Sequence, residues 1–203
     1  MLKRILSLGS SYNFIGVYDN TLPRYKCKIC IDYFESRKQK PGAIGRGKGP
    51  VFDASIKKCT ELDEDILITD RTILGEIIRS SLYPSLDKYK EKYLALGDCS
   101  PWTVDDRYNF QKYDGPDDGF KAWHQEHGLG LVMGNRMLAW MIYLNDAQSG
   151  TQFRYYPDIR AKMGRCVIWP AGWTHSHRGA PNIGLKYIAT GWCSWQKGVG
   201  TNT

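Results

Sequence analysis

The sequence reads Trp123-His124-Gln125-Glu126 at one point and Trp173-Thr174-His175-Ser176-His177-Arg178-Gly179 further along, and Lys186 follows soon after. His124 and Glu126 stand at positions i and i+2, so on a β-strand both side chains project from the same face. Two ligands on one strand and a histidine from a neighbouring strand can form a 2-His-1-carboxylate iron site. These stretches therefore predict a metal site inside a barrel of strands.

Short strand-like segments separated by turn residues surround the two histidine stretches and begin after Cys99-Ser100-Pro101. Such a texture is typical of a sandwich or a barrel. The predicted strands are Arg107–Tyr113, Phe120–His124, Met137–Leu144, Thr151–Tyr155, Arg165–Trp169 and Lys186–Trp192. We expect an antiparallel barrel in this half of the chain.

The first half of the chain has a more helical pattern. Aromatic and β-branched residues predict a strand within residues 12–19, and Leu22-Pro23 opens a helix. Ile66–Tyr93 carries helical periodicity that we expect to be broken at Tyr83-Pro84-Ser85. Arg37–Pro50 is rich in Gly, Pro and positive charge, so we expect a basic loop without regular structure, either a solvated connection or a lid.

Length and composition fit one domain with a full-sized core. The chain has 203 residues, of which 42% are hydrophobic. We expect a helical support region with the basic loop in residues 1–100, a jelly-roll core in 101–195 and a flexible tail in 196–203.

The charge and the cysteines indicate a cellular context but no specific partner. The formal net charge of +7 favours an acidic partner, although simple solubility explains it equally well. The six cysteines are scattered, which is typical of a reduced intracellular protein, and Cys27 and Cys30 are expected to pack in a helix. No apolar run approaches the roughly 20 residues of a membrane span. We therefore expect a soluble, cytoplasmic protein.

Lys186 precedes the apolar strand Tyr187-Ile188-Ala189 and is therefore predicted to point into the barrel. A lysine in that position is costly unless an anion pairs with it. The distal carboxylate of an oxo-acid co-substrate would be such an anion.

Several ordered motifs together resemble one known family. The chain is similar to the iron(II)- and 2-oxoglutarate-dependent dioxygenases of the prolyl 4-hydroxylase type, especially compact members encoded by bacteriophages and marine microbes. The resemblance implies a double-stranded β-helix, a cupin-like jelly roll of the mainly β or α+β class, with N-terminal helices packed on one sheet. Besides the histidine stretches, the motifs are Tyr108–Tyr113, Arg136, Tyr143-Leu144-Asn145-Asp146, Gly150-Thr151-Gln152-Phe153, Trp169-Pro170-Ala171-Gly172-Trp173 and Lys186-Tyr187-Ile188.

The resemblance implies His124 and Glu126 as the first two iron ligands. The third ligand is His177 or His175. Because Pro181 and then Lys186 follow His177 at family-like spacing, we favour His177 and keep His175 as the alternative.

Further roles follow from the same resemblance. Lys186 would bind the distal carboxylate of 2-oxoglutarate, Tyr143 would be a second donor, and Tyr113 would contact the co-substrate or the substrate. Arg136 matches an arginine associated with substrate binding. Three tryptophans are expected to form walls of the substrate cleft unless they are core residues, namely Trp123, Trp173 and Trp192.

Two positions depart from the family pattern. Glu126 replaces the commoner aspartate, so its longer side chain must fold back to reach the metal. Ser149-Gly150-Thr151-Gln152-Phe153 stands where Gly-Gly-Thr-Glu-Phe is typical, which we interpret as a turn variation.

The resemblance implies hydroxylation of a C–H bond, with peptidyl-proline as the expected target in a peptide or protein substrate. Iron(II), 2-oxoglutarate, O2 and ascorbate are the implied cofactors, and succinate and CO2 the co-products. One alternative is a related oxygenase acting on a nucleobase or a free amino acid, and the basic charge leaves nucleic acid open as a partner. Another is a non-catalytic cupin-like module, because zinc accepts the same ligands.

Overall fold

The computed structural model describes residues 13–45, 49–69 and 73–196. Within these ranges the chain forms sixteen short β-strands and two α-helices. The strands of the first half are β1 Gly16–Tyr18, β2 Gln39–Pro41, β3 Ile44–Gly45, β4 Pro50–Val51, β5 Lys57–Lys58, β6 Thr60–Leu62 and β7 Ile66–Leu67. Those of the second half are β8 Trp102–Val104, β9 Arg107–Tyr113, β10 Gly119–Phe120, β11 Arg136–Tyr143, β12 Gly150–Phe153, β13 Ile159–Arg160, β14 Cys166–Pro170, β15 His177–Gly179 and β16 Lys186–Trp195.

The strands form one large sheet and several small ones, all with antiparallel pairing. The major sheet has the order β1-β14-β11-β16-β9-β6-β2, with β7 added to β9 and β8 added to β16. The minor sheet has the order β13-β12-β15, and an isolated bridge joins His124 to His177 at its edge. Strands β10 and β5 pair, as do β3 and β4. This arrangement confirms the predicted mainly β, double-stranded β-helix fold.

Alternation along the central strands divides the core into two layers. On β11, Leu138, Trp140 and Ile142 face one cluster of buried residues, whereas Ala139 and Tyr143 face the other. The first cluster contains residues of both helices, and the second contains residues of the minor sheet. The helices therefore cover one face of the major sheet, and the space between the two sheets lies on the other face.

Helix α1 spans Arg24–Ser36 and begins after Pro23, as predicted. It buries Cys27, Cys30 and Phe34, so the two cysteines pack as expected. Polar contacts join it to the sheet. The Glu35 carboxylate accepts a hydrogen bond of 2.5 Å from the Tyr187 hydroxyl on β16 and pairs with Lys112 on β9 at 3.0 Å.

Helix α2 spans Ile73–Lys92 without interruption, so the break expected at Tyr83-Pro84-Ser85 is wrong. Pro84 is exposed. Proline has no backbone N–H to donate to the carbonyl one turn earlier in the helix, and that carbonyl therefore lies on the solvent side. Leu82 and Leu86 are buried on either side of it. Packing of that continuous apolar face offsets the local cost of the proline.

The basic segment Arg37–Pro50 also differs from the expectation of a loop without regular structure. It contains β2, β3 and the first residue of β4. Because each of these strands has only two or three residues, no alternation was visible in the sequence. Pro41 is tolerated because β2 lies at the edge of the major sheet.

Some sequence predictions fall outside the described residues, namely those for residues 1–12, for Arg46-Gly47-Lys48 and for the tail after Gln196. Among the helices that are described, neither is long and apolar enough to cross a membrane.

Gly150 marks a close approach between β12 and β13. A Cβ atom there would lie 1.9 Å from the carbonyl oxygen of Ile159, whereas a Cβ atom at Gly172 would meet nothing within 4 Å. Gly150→Ala should therefore lower the free energy of unfolding by roughly 1–3 kcal/mol through overpacking, measured by urea denaturation. Gly172→Ala is the control and should be close to neutral. Equal stability of the two variants would contradict this packing.

Candidate active site

His124, Glu126 and His177 converge in the space between the two sheets, each with one candidate ligand atom, and these atoms all lie within 4.8 Å of one another. The main chain brings the histidines together. The amide of His124 donates to the carbonyl of His177 at 2.9 Å, and the reverse bond is also 2.9 Å. Directly opposed residues in an antiparallel pair share a face, and the two imidazole centroids are 4.3 Å apart.

The distances between the candidate ligand atoms are close to those in a metal site. Glu126 Oε1 lies 3.7 Å from His124 Nε2 and 3.4 Å from His177 Nε2. Neighbouring ligands of an octahedral ion with bonds near 2.1 Å lie about 3 Å apart. Small side-chain rotations would therefore bring all three atoms onto one ion.

Hydrogen bonds at the far ring nitrogens determine which histidine atoms are available to a metal. Nδ1 of His124 donates to the carbonyl of Ala122 at 3.0 Å, and Nδ1 of His177 donates to the carbonyl of His175 at 2.9 Å. A carbonyl oxygen can only accept, so each Nδ1 carries the proton and each Nε2 presents a lone pair. Metal-binding histidines are oriented in the same way.

The second oxygen of Glu126 is held by two donors. Trp192 Nε1 donates to Oε2 at 2.7 Å, and Arg136 Nη1 lies 3.3 Å from the same oxygen. The Arg136 guanidinium stacks on the Trp192 ring, 3.5 Å from its centroid. These contacts leave Oε1 directed at the histidines and show how the longer glutamate side chain is positioned.

Burial and charge set the protonation of the site. Burial opposes ionisation of Glu126, but its interactions with His177, His124 and the Arg136 guanidinium lower the pKa of Glu126 to about 2. Burial lowers the pKa of His124 to about 4. At pH 7 the carboxylate is charged and the His124 imidazole is neutral, as metal binding requires.

Aromatic residues shield the histidine rings. Phe120 stacks on His124 with centroids 3.6 Å apart, and Trp169 packs edge-on against His177 at 5.0 Å. Two neutral nitrogens and one carboxylate oxygen in a partly dry setting fit a 2-His-1-carboxylate centre. The three residues therefore fit an iron(II) ion.

His175 is oriented differently from His177. Its Nε2 donates to the carbonyl of Asn13 at 3.0 Å, its Nδ1 accepts from the Thr174 hydroxyl at 2.9 Å, and its ring stacks on Tyr156. Both ring nitrogens are thus engaged outside the cluster formed by His124, Glu126 and His177.

A cavity of about 650 Å³ opens beside the three residues, and Lys186 lines it. Lys186 is only 3% exposed. Its Nζ lies 4.6 Å from the ring centroid of Tyr113, the residue directly opposite on β9, and it forms no ion pair with any residue in the described ranges. Burial lowers the pKa of Lys186 to about 8. The cavity therefore contains a cation without a protein counter-ion.

Both predicted tyrosines line the same cavity, and their hydroxyl groups have partners. The Tyr143 hydroxyl lies 2.6 Å from Thr151 Oγ1, and burial raises the pKa of Tyr143 to about 12, so the phenol stays protonated. The Tyr113 hydroxyl donates to Gln111 Oε1 at 2.6 Å. Contact of the Tyr113 proton with a bound molecule would require that this bond open.

A buried polar network behind Tyr113 was missed from the sequence. Gln111 Nε2 donates to Glu61 Oε1 at 2.8 Å, and Lys57 Nζ donates to the same oxygen at 2.5 Å. Lys57, Glu61 and Gln111 all line the cavity. Alternation places Lys57 and Glu61 on one side of their strands, but a lysine and a glutamate at this spacing ordinarily indicate a solvent-facing surface.

The predicted substrate-cleft residues fall in two places. Arg136 and Trp192 line the main cavity, where they contact Glu126. Trp123 and Trp173 instead line a separate shallow groove of about 540 Å³. The three tryptophans therefore do not form one cleft.

Comparison with known proteins agrees with this geometry. Residues 108–194 match the model of the 2OG-Fe(II) oxygenase superfamily. This segment contains the candidate metal ligands His124, Glu126 and His177 as well as Lys186. No curated protein sequence matches the chain.

Solved structures share the fold at low sequence identity. A viral collagen prolyl hydroxylase from Paramecium bursaria Chlorella virus-1 is 15% identical, with 90% of this chain and 97% of that chain covered and a TM-score of 0.56. A Pseudomonas putida prolyl-4-hydroxylase is 15% identical, with 91% and 94% covered and a TM-score of 0.64.

A Trichoplax adhaerens prolyl hydroxylase, in complex with a peptide fragment of the hypoxia inducible factor oxygen degradation domain, is 14% identical, with 95% of this chain and 89% of that chain covered and a TM-score of 0.65. The matching segment, the His-Glu-His cluster and the shared fold lead to one conclusion. Residues 108–194 form a 2OG-Fe(II) oxygenase superfamily domain, and the chain has the fold of the prolyl hydroxylase structures.

Proposed function

We propose that this enzyme hydroxylates peptidyl-proline and couples the reaction to oxidative decarboxylation of 2-oxoglutarate to succinate and CO2. The observation that carries the proposal is the buried, unpaired Lys186 in the same cavity as His124, Glu126 and His177. A site that only held a structural metal would have no use for a buried cation beside it, whereas a dicarboxylate co-substrate would neutralise it.

In this proposal His124, Glu126 and His177 bind iron(II) through Nε2, Oε1 and Nε2. The ion, when bound, supplies the redox chemistry that activates O2 for attack on a C–H bond. The backbone carbonyls of Ala122 and His175 hold the two imidazole rings in the ligating tautomer. Trp192 and Arg136 hold Glu126, which makes them positioning residues for the carboxylate.

Lys186 would bind the distal carboxylate of 2-oxoglutarate through a charge-assisted hydrogen bond. Tyr143 supports this role because its hydroxyl lies on the same wall, paired only with Thr151, and can turn to donate to the carboxylate. Burial of the ammonium group strengthens the attraction, since the local dielectric constant is low. The cavity of about 650 Å³ has room for the co-substrate and for a substrate side chain.

A peptide substrate is supported by the related structures. The Trichoplax enzyme is described in complex with a peptide fragment, and the viral enzyme is described as a collagen prolyl hydroxylase. Ascorbate, which would keep the iron reduced between turnovers, belongs to the same proposal.

The direct experiment is incubation of the iron-loaded enzyme with 2-oxoglutarate, ascorbate and a panel of proline-containing peptides. Succinate release and a peptide mass gain of one oxygen are expected together. Succinate without peptide oxidation would move the search to a nucleobase or a free amino acid. Absence of succinate with every substrate class would overturn the proposal and favour a non-catalytic metal-binding module.

The two neighbouring histidines provide a matched test of the third ligand. His177→Ala should abolish iron-dependent succinate formation and weaken Mn(II) binding, because it removes one of the three convergent atoms. His175→Ala should retain much of both, because it loses only the contacts to Asn13, Thr174 and Tyr156. The opposite pattern would transfer the ligand role to His175.

Trp192→Phe tests how the carboxylate ligand is positioned. The variant keeps an aromatic ring under Arg136 but removes the indole donor to Glu126 Oε2, so Mn(II) affinity should fall about tenfold or more. Trp102→Phe is the control, because the Trp102 indole donates instead to the Leu96 carbonyl. Titration of both variants with Mn(II) measures the difference, and unchanged affinity in Trp192→Phe would exclude the positioning role.

The lowered pKa of Lys186 predicts a pH dependence of co-substrate binding. Only the protonated amine attracts the distal carboxylate, and this form is lost as the pH rises through about 8. The affinity for 2-oxoglutarate should therefore be about tenfold weaker at pH 9 than at pH 7. In Lys186→Arg the side chain stays positively charged at both pH values, so the affinities for 2-oxoglutarate at pH 7 and pH 9 should be nearly equal. The same decline in both proteins, measured by calorimetry on the Mn(II)-loaded forms, would exclude Lys186 as its cause.

A further inference from the structure

A second groove leaves the active site on the side of His124. It has a volume of about 540 Å³ and shares His124 and Gln125 with the main cavity. The cavity and the groove therefore adjoin at these two residues.

The groove lies on the outward face of the minor sheet. Phe153 and His177 are paired across β12 and β15, and their rings approach each other on the inner side. Arg178 follows His177 and Arg154 follows Phe153, so alternation directs both arginines outward. Arg178 also lines the main cavity, and Arg154 lines the groove. The two arginines thus connect the cavity and the groove.

Both guanidinium groups lie over one aromatic ring. Their Cζ atoms are 4.9 Å (Arg154) and 4.6 Å (Arg178) from the ring centroid of Trp123. Arg178 Nε donates to Gln152 Oε1 at 2.9 Å, and Gln152 in turn donates to Asp158. Neither arginine forms an ion pair with a carboxylate in the parts of the chain that the structure describes. Trp123 therefore holds two cations whose remaining donors have no acidic partner.

The rest of the groove carries no negative charge to offset them. Its other lining residues are neutral, aromatic or histidine, and they include the exposed rings of Tyr155 and Trp173. An arginine held against an aromatic ring is a good receptor for a carboxylate, since the guanidinium geometry matches the carboxylate and part of the side-chain entropy is already lost.

We propose that this groove, at Trp123 and Arg154 and beside Arg178 of the main cavity, binds an acidic side chain of the peptide substrate close to the residue that is hydroxylated. The inference rests on the proposed peptide substrate, because the groove is where the chain flanking a residue in the cavity would emerge. It assigns the enzyme a preference for proline near glutamate or aspartate.

A single-stranded nucleic acid is the less suitable occupant. Nucleic-acid grooves of this kind present free aromatic faces for stacking bases. Here the Trp123 ring is already covered by guanidinium groups, which leaves only Tyr155 and Trp173 as open rings. The paired cations and the continuity with the active site favour a carboxylate on a peptide.

Peptide binding to the enzyme loaded with Mn(II) and 2-oxoglutarate tests the inference without turnover. The probes are three fluorescently labelled peptides of equal length with one proline, flanked by glutamates, by glutamines or by lysines. The glutamate peptide should bind about tenfold more tightly at low salt. Arg154→Gln should remove most of that preference, and Arg154→Glu should reverse it toward a lysine-flanked peptide.

Arg24→Gln is the matched control, because it removes the same charge from an exposed position on α1, on the helix-covered side of the major sheet. It should leave the preference for the glutamate peptide intact. Arg154 is exposed, so its variants should fold normally, and thermal unfolding checks this.

Three results would overturn the inference. The first is equal affinity for the glutamate and glutamine peptides, including no binding of either. The second is an equal effect of Arg154→Gln and Arg24→Gln on the preference for the glutamate peptide. The third is Arg154-dependent binding of a single-stranded oligonucleotide that is tighter than binding of the glutamate peptide at the same salt concentration. Failure of the proposed function is recognised separately. If only the proposed function fails, the Arg154-dependent preference for the glutamate peptide would persist, but no peptide would be oxidised. If only the inference fails, peptides would be hydroxylated at rates that do not depend on the charge of the flanking residues.

Discussion

The ammonium group of Lys186 is buried in the cavity and forms no ion pair with a carboxylate of the described residues, and the function of the site depends on this imbalance. Desolvation of a lone cation is expensive, and the lowered pKa of Lys186 reflects that cost. The sequence could have avoided the cost with any apolar residue at this position of β16. The presence of a cation there is explained if an anion binds beside it when the protein functions. The adjacent candidate metal ligands indicate that this anion is the carboxylate of a co-substrate.

The three candidate metal ligands are held by contacts from both sheets. The antiparallel bridge between His124 and His177 places two imidazoles side by side, and backbone carbonyls fix their tautomers. Glu126 reaches the same point because Trp192 and Arg136 hold its outer oxygen. Arg136 and Trp192, to which the resemblance assigned roles in substrate binding, thus also contact the carboxylate of Glu126.

The parts of the molecule that could be predicted from the sequence are those where one local pattern dominates. Strand β9 was predicted with its observed bounds, Arg107–Tyr113, because this strand-like run ends at the turn residues Asp114-Gly115-Pro116. The ligand spacing in His124-Gln125-Glu126 is equally local. The continuity of α2 through Pro84 depends on burial of residues on both sides, which a local break signal does not reveal.

Long-range contacts account for most of what the sequence did not reveal. Lys57 and Glu61 lie outside the segment shared with the oxygenase superfamily, and their burial depends on Gln111 of a distant strand. Trp123 was expected to form a wall of the substrate cleft, but it lines the separate groove, and two arginines contact its ring. In each case the residue type could be read from the sequence, but the residue that it contacts in the fold could not.

The most direct measurement compares calorimetric titrations of the Mn(II)-loaded protein with 2-oxoglutarate and with 2-oxobutyrate, which has the same oxo-acid group but no distal carboxylate. If the metal site and Lys186 together bind the co-substrate, 2-oxoglutarate should bind at least about tenfold more tightly than 2-oxobutyrate, and removal of the metal should greatly weaken its binding. Equal affinity for the two acids, or binding of 2-oxoglutarate that is indifferent to the metal, would contradict a shared site.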